Sequence, residues 1–99
     1  MEYIRNMRFE WDENKNGSNY RKHGVWFEEA QTIWVDSESA EFIDPEHSSN
    51  EDRFIRIGHS TIGRILLVVF CERAEGPTIR IISARKATTQ EVKDYEKGI

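Results

Sequence analysis

The stretch ILLVVFCERAEGPTIRIISAR, residues 65–85, decides the fold of this 99-residue chain. Two runs rich in apolar and β-branched residues flank AEGP at residues 74–77, a pattern typical of two antiparallel strands joined by a short turn. The second run carries Arg80 in its middle and ends in Arg85 and Lys86. A guanidinium loses hydration when it leaves water and stays charged, so a strand that holds one needs an ion pair or a function for it.

Three further strands are predicted on the N-terminal side of this hairpin. They are Phe9–Trp11, an edge strand at Ala40–Ile43, and Arg53–His59. Residues 44–52, DPEHSSNED, have the proline and the polar clustering of a loop. Because the connections between the later strands are short, we expect these strands to form an antiparallel meander.

Three helices accompany the strands. The first is predicted at Glu13–His23, with Asp12 as its N-cap and Gly24 at its C′ position. The second spans about Phe27–Val35, where apolar residues recur at helical spacing. A capping box at residues 88–91, TTQE, starts a short C-terminal helix. The order β-α-α-β-β-β-β-α predicts an α+β fold, an antiparallel meander packed against two N-terminal helices and a short C-terminal helix.

Length and composition limit the class of protein. The length predicts a single domain, residues 1–99. The longest apolar run, residues 65–71, is far shorter than the ~20 residues that cross a bilayer, and we expect a cytoplasmic protein. Cys71 lies in that run and is expected to be a small buried hydrophobe. The formal charge of −4 argues against non-specific coating of nucleic acid but allows a local basic site.

The strand alternation predicts where the arginines lie. Residues two apart share a sheet face, so Arg85 is expected to lie with Ile79, Ile81 and Ser83. The meander is also expected to bring Arg53 and Arg73 to one end of the sheet. We expect Arg85 at the other end, near Arg64 and His59. Two interpretations stay open: salt bridges at the sheet rim, or a phosphodiester pocket completed by Lys22 and His23.

Metal and cofactor motifs are missing from the sequence. His23, His47 and His59 show no metal-ligand spacing, and the chain has neither a phosphate-binding glycine loop nor a GxSxG elbow. We therefore expect chemistry without a metal or a cofactor. Trp26 follows the cap of the first helix, and the sequence leaves open whether it packs as a hydrophobic staple or is exposed for a partner.

The motifs FEWDENKNGSNYRKHGVWFEEA, EDRFIRIG, ILLVVFCER and IRIISARKATTQEVKDYE follow one another between Phe9 and Glu96. In this combination they closely resemble the BrnT family of bacterial toxins. Residues Met1–Met7 precede the usual start of that family, so the resemblance implies an extension that is either disordered or an artefact of the start. The resemblance implies the toxin of a type II toxin-antitoxin system, with a fold similar to the RelE ribonucleases. It further implies an endoribonuclease that cleaves RNA and arrests translation during bacterial stress. A BrnA-like antitoxin with a ribbon-helix-helix domain would neutralise it, and operator DNA would be bound only through the complex.

The resemblance also implies a metal-independent reaction, in which the 2′-OH of the substrate attacks the adjacent phosphate. The residues expected to act lie in the motifs KHGV, CER and SAR. Arg85 and Arg73 would be the cations for the phosphate and the transition state, His23 the acid or base, and Lys22 a supporting cation. The residues expected to bind RNA are Arg80, Arg53 and Lys86.

An alternative from another functional class stays open. The chain could be a catalytically weak or inactive toxin-like binding module that acts with its antitoxin in repressing their shared promoter. Its arginines would then bind an acidic segment of the partner. Growth arrest by the chain expressed alone would favour the enzyme.

Overall fold

A computed structural model of the protein describes residues 7–44, 53–73 and 77–98. The elements are β1 (Arg8–Glu10), α1 (Glu13–His23), α2 (Phe27–Ala30), a 3₁₀ helix (Gln31–Val35), β2 (Ala40–Ile43), β3 (Arg53–His59), β4 (Ile65–Arg73), β5 (Thr78–Lys86) and α3 (Thr89–Glu96). These bounds agree closely with the predicted elements. Residues 1–6 of the predicted extension and residues 45–52 of the predicted loop lie outside the described residues.

The five strands form one sheet in the order β1-β5-β4-β3-β2. From β2 to β5 each strand pairs antiparallel with the next, as the predicted meander requires. However, β1 lies at the edge beside β5 and pairs with it in parallel, with Phe9 opposite Ile79. The prediction of a purely antiparallel sheet is therefore wrong, and the sheet is mixed. A short turn implies that the two strands it joins are neighbours in the sheet. The strands β1 and β5 are separated by most of the chain, so no turn predicts their pairing.

One face of the sheet, the inner face, packs against α2 and the 3₁₀ helix. Trp34 is at the centre, because its ring meets those of Phe9 and Phe70 edge-on at 5.2 and 4.9 Å between centroids. The stripe predicted for the second helix is buried as expected, but only its first turn is α-helical. In the 3₁₀ part the Thr32 hydroxyl donates to the Glu29 carbonyl at 2.7 Å. β-Branched residues at positions 32, 33 and 35 disfavour a continued α-helix.

Helix α1 docks through two buried asparagines instead of an apolar stripe. The Asn19 amide nitrogen donates to the carbonyls of Val25 and Ala84 at 2.9 and 2.8 Å, and its oxygen accepts from the Ala84 N–H at 3.1 Å. The Asn16 oxygen accepts from the Phe27 N–H at 2.7 Å, which satisfies the first turn of α2. Asn19 thus takes the place of a paired strand along the part of β5 that β1 does not reach.

A β-bulge in β5 changes the face on which its cations lie. Val69 pairs with Ser83 but Phe70 pairs with Ile81, so Ile82 is an extra residue. Ile79 and Ile81 consequently point into the core, on the face opposite to Ser83 and Arg85. The prediction that these four residues share a face is therefore wrong. Because of the bulge, Arg80 and Arg85 both lie on the outer face of the sheet, the face away from α2.

Candidate functional site

Three arginines gather at one end of the outer face and form the arginine cluster, Arg53, Arg73 and Arg80. In the register of the sheet, Arg53 lies opposite Cys71 on β4, and Cys71 lies opposite Arg80 on β5. On the other side of β5, Arg80 lies opposite Glu10. The Glu10 carboxylate lies 3.1 Å from the Arg80 guanidinium and 3.7 Å from that of Arg73. Arg53 and Arg73 therefore meet at one end of the sheet, as predicted. Cys71 is buried beneath this row, as expected of a small hydrophobe.

Arg85 lies towards the other end of the outer face, opposite Leu67. Its two terminal nitrogens donate to both oxygens of Glu91 on α3, at 2.9 and 3.0 Å. This bidentate pair, together with the capping bond from the Thr88 N–H, lowers the pKa of Glu91 to about 2. The predicted neighbour Arg64 is not there, because it turns to Glu29 and the Gly24 carbonyl in the helical layer.

Acid should weaken the attachment of α3 to the sheet through Glu91. A carboxylate whose pKa is depressed in the folded state stabilises the fold above its ordinary pKa of 4.5, and loses this contribution as pH falls towards about 2. Between pH 6 and pH 2 the free energy of unfolding should fall further in the wild type than in Glu91→Gln, by on the order of 1 kcal/mol because both side chains touch water. Urea unfolding across this pH range measures the difference. Equal losses in the two proteins would contradict the role of the pair.

Lys22 and His23 lie at the end of α1, where the helix passes the bulge of β5. Between the helix and the bulge is a cavity of about 180 Å³, the basic groove. Its lining residues are Lys15, Ser18, Asn19, Lys22, His23, Ile82 and Ser83. None of these described residues is acidic, so the groove presents two ammonium groups and an imidazole without a neighbouring carboxylate. Such a surface favours an anionic ligand.

The bulge places Ser83 in the basic groove and on the outer face between Arg80 and Arg85. The groove therefore continues over the sheet edge towards two of the predicted cations. The structure brings Lys22 and His23 together beside β5, with Arg85 on one side of the bulge and Arg80 on the other. Arg53 and Arg73 lie further away, behind Arg80 in the arginine cluster. Lys86 pairs with Leu66 at the end of β5 and does not line the groove.

A second polar arrangement, at the end of β3, was missed by sequence reasoning. The Tyr95 hydroxyl donates to the Asp36 carboxylate, which also accepts a hydrogen bond from the backbone N–H of His59 at 2.8 Å. The His59 Nδ1 lies 3.1 Å from the Tyr95 oxygen. Since the tyrosine proton goes to Asp36, the network requires His59 to donate from Nδ1, which leaves Nε2 as the acceptor. His59 lies on β3, Tyr95 on α3 and Asp36 just after the 3₁₀ helix, and no spacing in the sequence indicates their contact.

The ionisation of this arrangement is fixed by its contacts. Burial, followed by the bond to Asp36, raises the pKa of Tyr95 to about 12, so the phenol stays protonated. Burial would raise the pKa of Asp36, but bonds from the His59 N–H, Tyr95 and the Glu38 N–H lower it overall. Asp36 is therefore a carboxylate that ties α3 to β3. Within residues 7–44, 53–73 and 77–98, no group of three His, Cys, Asp or Glu side chains could hold a metal ion.

Comparison with known proteins assigns this α+β domain to the ribonuclease toxins of type II toxin-antitoxin systems. The matching family model is described as "Ribonuclease toxin, BrnT, of type II toxin-antitoxin system" and covers residues 11–91. The chain therefore belongs to the BrnT family, as its motifs indicated. Membership of this class implies an antitoxin as a partner.

A solved structure supports the same assignment. The chain is similar to the crystal structure of the Brucella abortus ribonuclease toxin BrnT, with a TM-score of 0.63 and 26% sequence identity over 84% of this chain and 99% of that chain. No curated protein matches the sequence. Among the described residues, no helix is long and apolar enough to cross a membrane.

Proposed function

We propose that this chain is a metal-independent endoribonuclease that cleaves RNA with the substrate's own 2′-OH and thereby inhibits translation. The observation that carries the proposal is the basic groove, in which Lys15, Lys22 and His23 face the bulge of β5. Arg80 and Arg85 lie on the outer face on either side of that bulge. A single RNA strand passing over the sheet edge would meet cations along its phosphates and an imidazole beside them.

The proposed reaction is an in-line displacement at phosphorus. The 2′ oxygen forms a bond to phosphorus while the bond from phosphorus to the 5′ oxygen breaks. A base takes the 2′ proton, and an acid gives a proton to the leaving 5′ oxygen, so the products carry a 2′,3′-cyclic phosphate and a 5′ hydroxyl. His23 supplies one of these proton transfers, because an imidazole ring can both accept and donate a proton. Lys22 and Arg85 stabilise the charge that develops on the phosphoryl oxygens.

The arginine cluster has a different proposed role. Arg53, Arg73 and Arg80 lie beyond the groove along the outer face, where they would bind flanking phosphates of the same strand. Arg73 was expected to contact the reacting phosphate. Its place behind Arg80, within 3.7 Å of Glu10, favours this positioning role instead.

The cellular setting completes the proposal. We place the protein in the cytoplasm, with a RelE-like fold and a BrnA-like ribbon-helix-helix antitoxin that neutralises it. Operator DNA would be bound by the complex through the antitoxin, because the toxin itself carries a net formal charge of −4.

The test uses RNA cleavage by the purified chain in EDTA. The cleaved bond is first mapped on a defined RNA, and the same RNA is then made with a single 2′-deoxy nucleotide on the 5′ side of that bond. We expect cleavage of the first RNA in EDTA, to products with cyclic phosphate ends, and no cleavage of the second at that bond. A deoxy substitution one nucleotide away is the matched control.

Three results would overturn the proposal. Loss of activity in EDTA that Mg²⁺ restores would identify a metal-dependent nuclease, and cleavage of the deoxy RNA would exclude attack by the 2′-OH. A folded chain that neither cleaves RNA nor stops growth when expressed alone would support the binding module that acts in promoter repression.

A further inference from the structure

A second groove lies on the outer face, between the sheet and α3. This β2–α3 groove has a volume of about 350 Å³ and is lined by Phe42, Ile43, Ile55, Ile57, Leu67, Glu91, Asp94 and Tyr95. Its floor follows the register, in which Phe42 lies opposite Ile55, and Ile57 opposite Leu67. One wall is the face of α3 that carries Glu91, Asp94 and Tyr95. The groove is thus an apolar channel with carboxylates along one side.

The groove opens at an edge of the sheet that nothing in the described chain covers. Strand β2 is the last in the order and pairs only with β3. Phe42 is 41% exposed and Ile43 is 75% exposed. Proteins usually protect such an edge with charges, prolines or a covering element, because exposed apolar edge strands associate with other chains. Phe42 lies on the outer face opposite Ile55, whereas Ile43 lies opposite Phe54 on the inner face. The exposed Phe42 side chain beside an open apolar groove therefore indicates a surface that a partner covers.

We propose that the antitoxin binds in the β2–α3 groove through an apolar segment flanked by lysine or arginine side chains. The apolar side chains would cover Phe42 and enter the groove, and a basic side chain would meet the carboxylate of Asp94. This inference rests on the proposed toxin-antitoxin function only for the existence of the partner. The position and chemistry of the surface come from the groove itself.

The charge of this groove argues against RNA as its occupant. The basic groove at α1 is lined by lysines, whereas the described lining of the β2–α3 groove has no basic residue. Of its two carboxylates, Glu91 is balanced by Arg85, and Asp94 supplies the negative charge of the wall. Phosphates would be repelled from the wall that attracts a basic peptide. The antitoxin would also contact α3 at Glu91, the partner of Arg85, without covering the basic groove.

The binding test compares two exposed apolar side chains. Phe42→Glu alters the β2–α3 groove, where Phe42 lies opposite Ile55, and Ile62→Glu alters the β3–β4 turn, where Ile62 is 70% exposed. The probe is the purified protein encoded beside this chain, and its affinity for each variant is measured by calorimetry without RNA. We expect Phe42→Glu to weaken binding by about 30-fold or more, as for a central interface residue, and Ile62→Glu to bind like the wild type. Asp94→Lys should weaken binding and reduce its dependence on salt.

Each other outcome overturns the inference. Unchanged affinity of Phe42→Glu and Asp94→Lys would remove the antitoxin from this groove, and loss of affinity in Ile62→Glu alone would place it on the helical side. Failure of the wild type to bind the neighbouring protein would exclude that protein as the occupant. If the chain alone forms a dimer that Phe42→Glu dissociates, the occupant is a second copy. RNA cleavage by Phe42→Glu is measured separately, so the inference can fail while the proposed nuclease holds, and the reverse.

Discussion

Arg85→Gln is expected to lower the rate of RNA cleavage by about 10²–10³-fold, the loss typical of removing one preorganised donor from a developing negative charge. Arg85 is suited to this task because Glu91 holds its guanidinium in one orientation and raises its pKa, so it stays charged. Within the described chain, Glu91 and the Lys86 carbonyl occupy three of its five N–H groups. Two N–H groups are therefore available to a phosphoryl oxygen.

A structural role of the ion pair must be separated from a catalytic role of the cation. Glu91→Gln removes the charge that fastens α3 but leaves the guanidinium in place, so its cleavage rate should stay within about tenfold of the wild type. Arg56→Gln is the matched control, since Arg56 pairs with Glu41 and lies over the Trp34 ring on the other face. Equal losses in Arg85→Gln and Glu91→Gln would show that Arg85 acts only by holding α3. Melting temperatures of all three variants exclude unfolding as the cause.

Local chemistry made most of the elements predictable. The first helix begins after Asp12 and ends at Gly24 as expected, because capping depends only on neighbouring residues. Gly24 has the left-handed φ of 72° that favours glycine. The capping box at Thr88 and Glu91 is formed as predicted. The meander was predictable for the same reason, since short turns require neighbouring strands to pair.

Features that depend on distant contacts were not predictable. The bulge at Ile82 interrupts the alternation without a glycine to signal it, and thereby moves Arg85 to the face opposite Ile79 and Ile81. Asn16 and Asn19 are buried although α1 has no apolar stripe, and patterns of hydrophobicity cannot detect a helix that docks through amides. Lys22 and His23 could be named as candidate site residues because they lie in a motif. Their groove could not be predicted, since it depends on Asn19, which bonds to Ala84 and holds α1 beside the bulge of β5.

His23→Gln is expected to lower the rate of RNA cleavage by about 10²–10⁴-fold, the usual contribution of a positioned acid or base. His23 is exposed at the end of α1 and lines the basic groove beside Lys22. It can therefore reach a 2′-OH or a 5′ oxygen of an RNA strand whose phosphates are held by the neighbouring cations.

His59→Gln is the matched variant, since His59 is also exposed and its Nδ1 is held by the Tyr95 oxygen, which leaves Nε2 as an acceptor. The register places His59 two strands from β5 and about four residues beyond Ser83, roughly 16 Å from the bulge by ordinary strand spacings. A side chain at that distance cannot serve a phosphate bound at Lys22. We therefore expect His59→Gln to keep cleavage within about tenfold of the wild type. If His59→Gln instead loses cleavage and His23→Gln keeps it, the reacting phosphate lies at the end of β3, and the basic groove only binds the flanking strand.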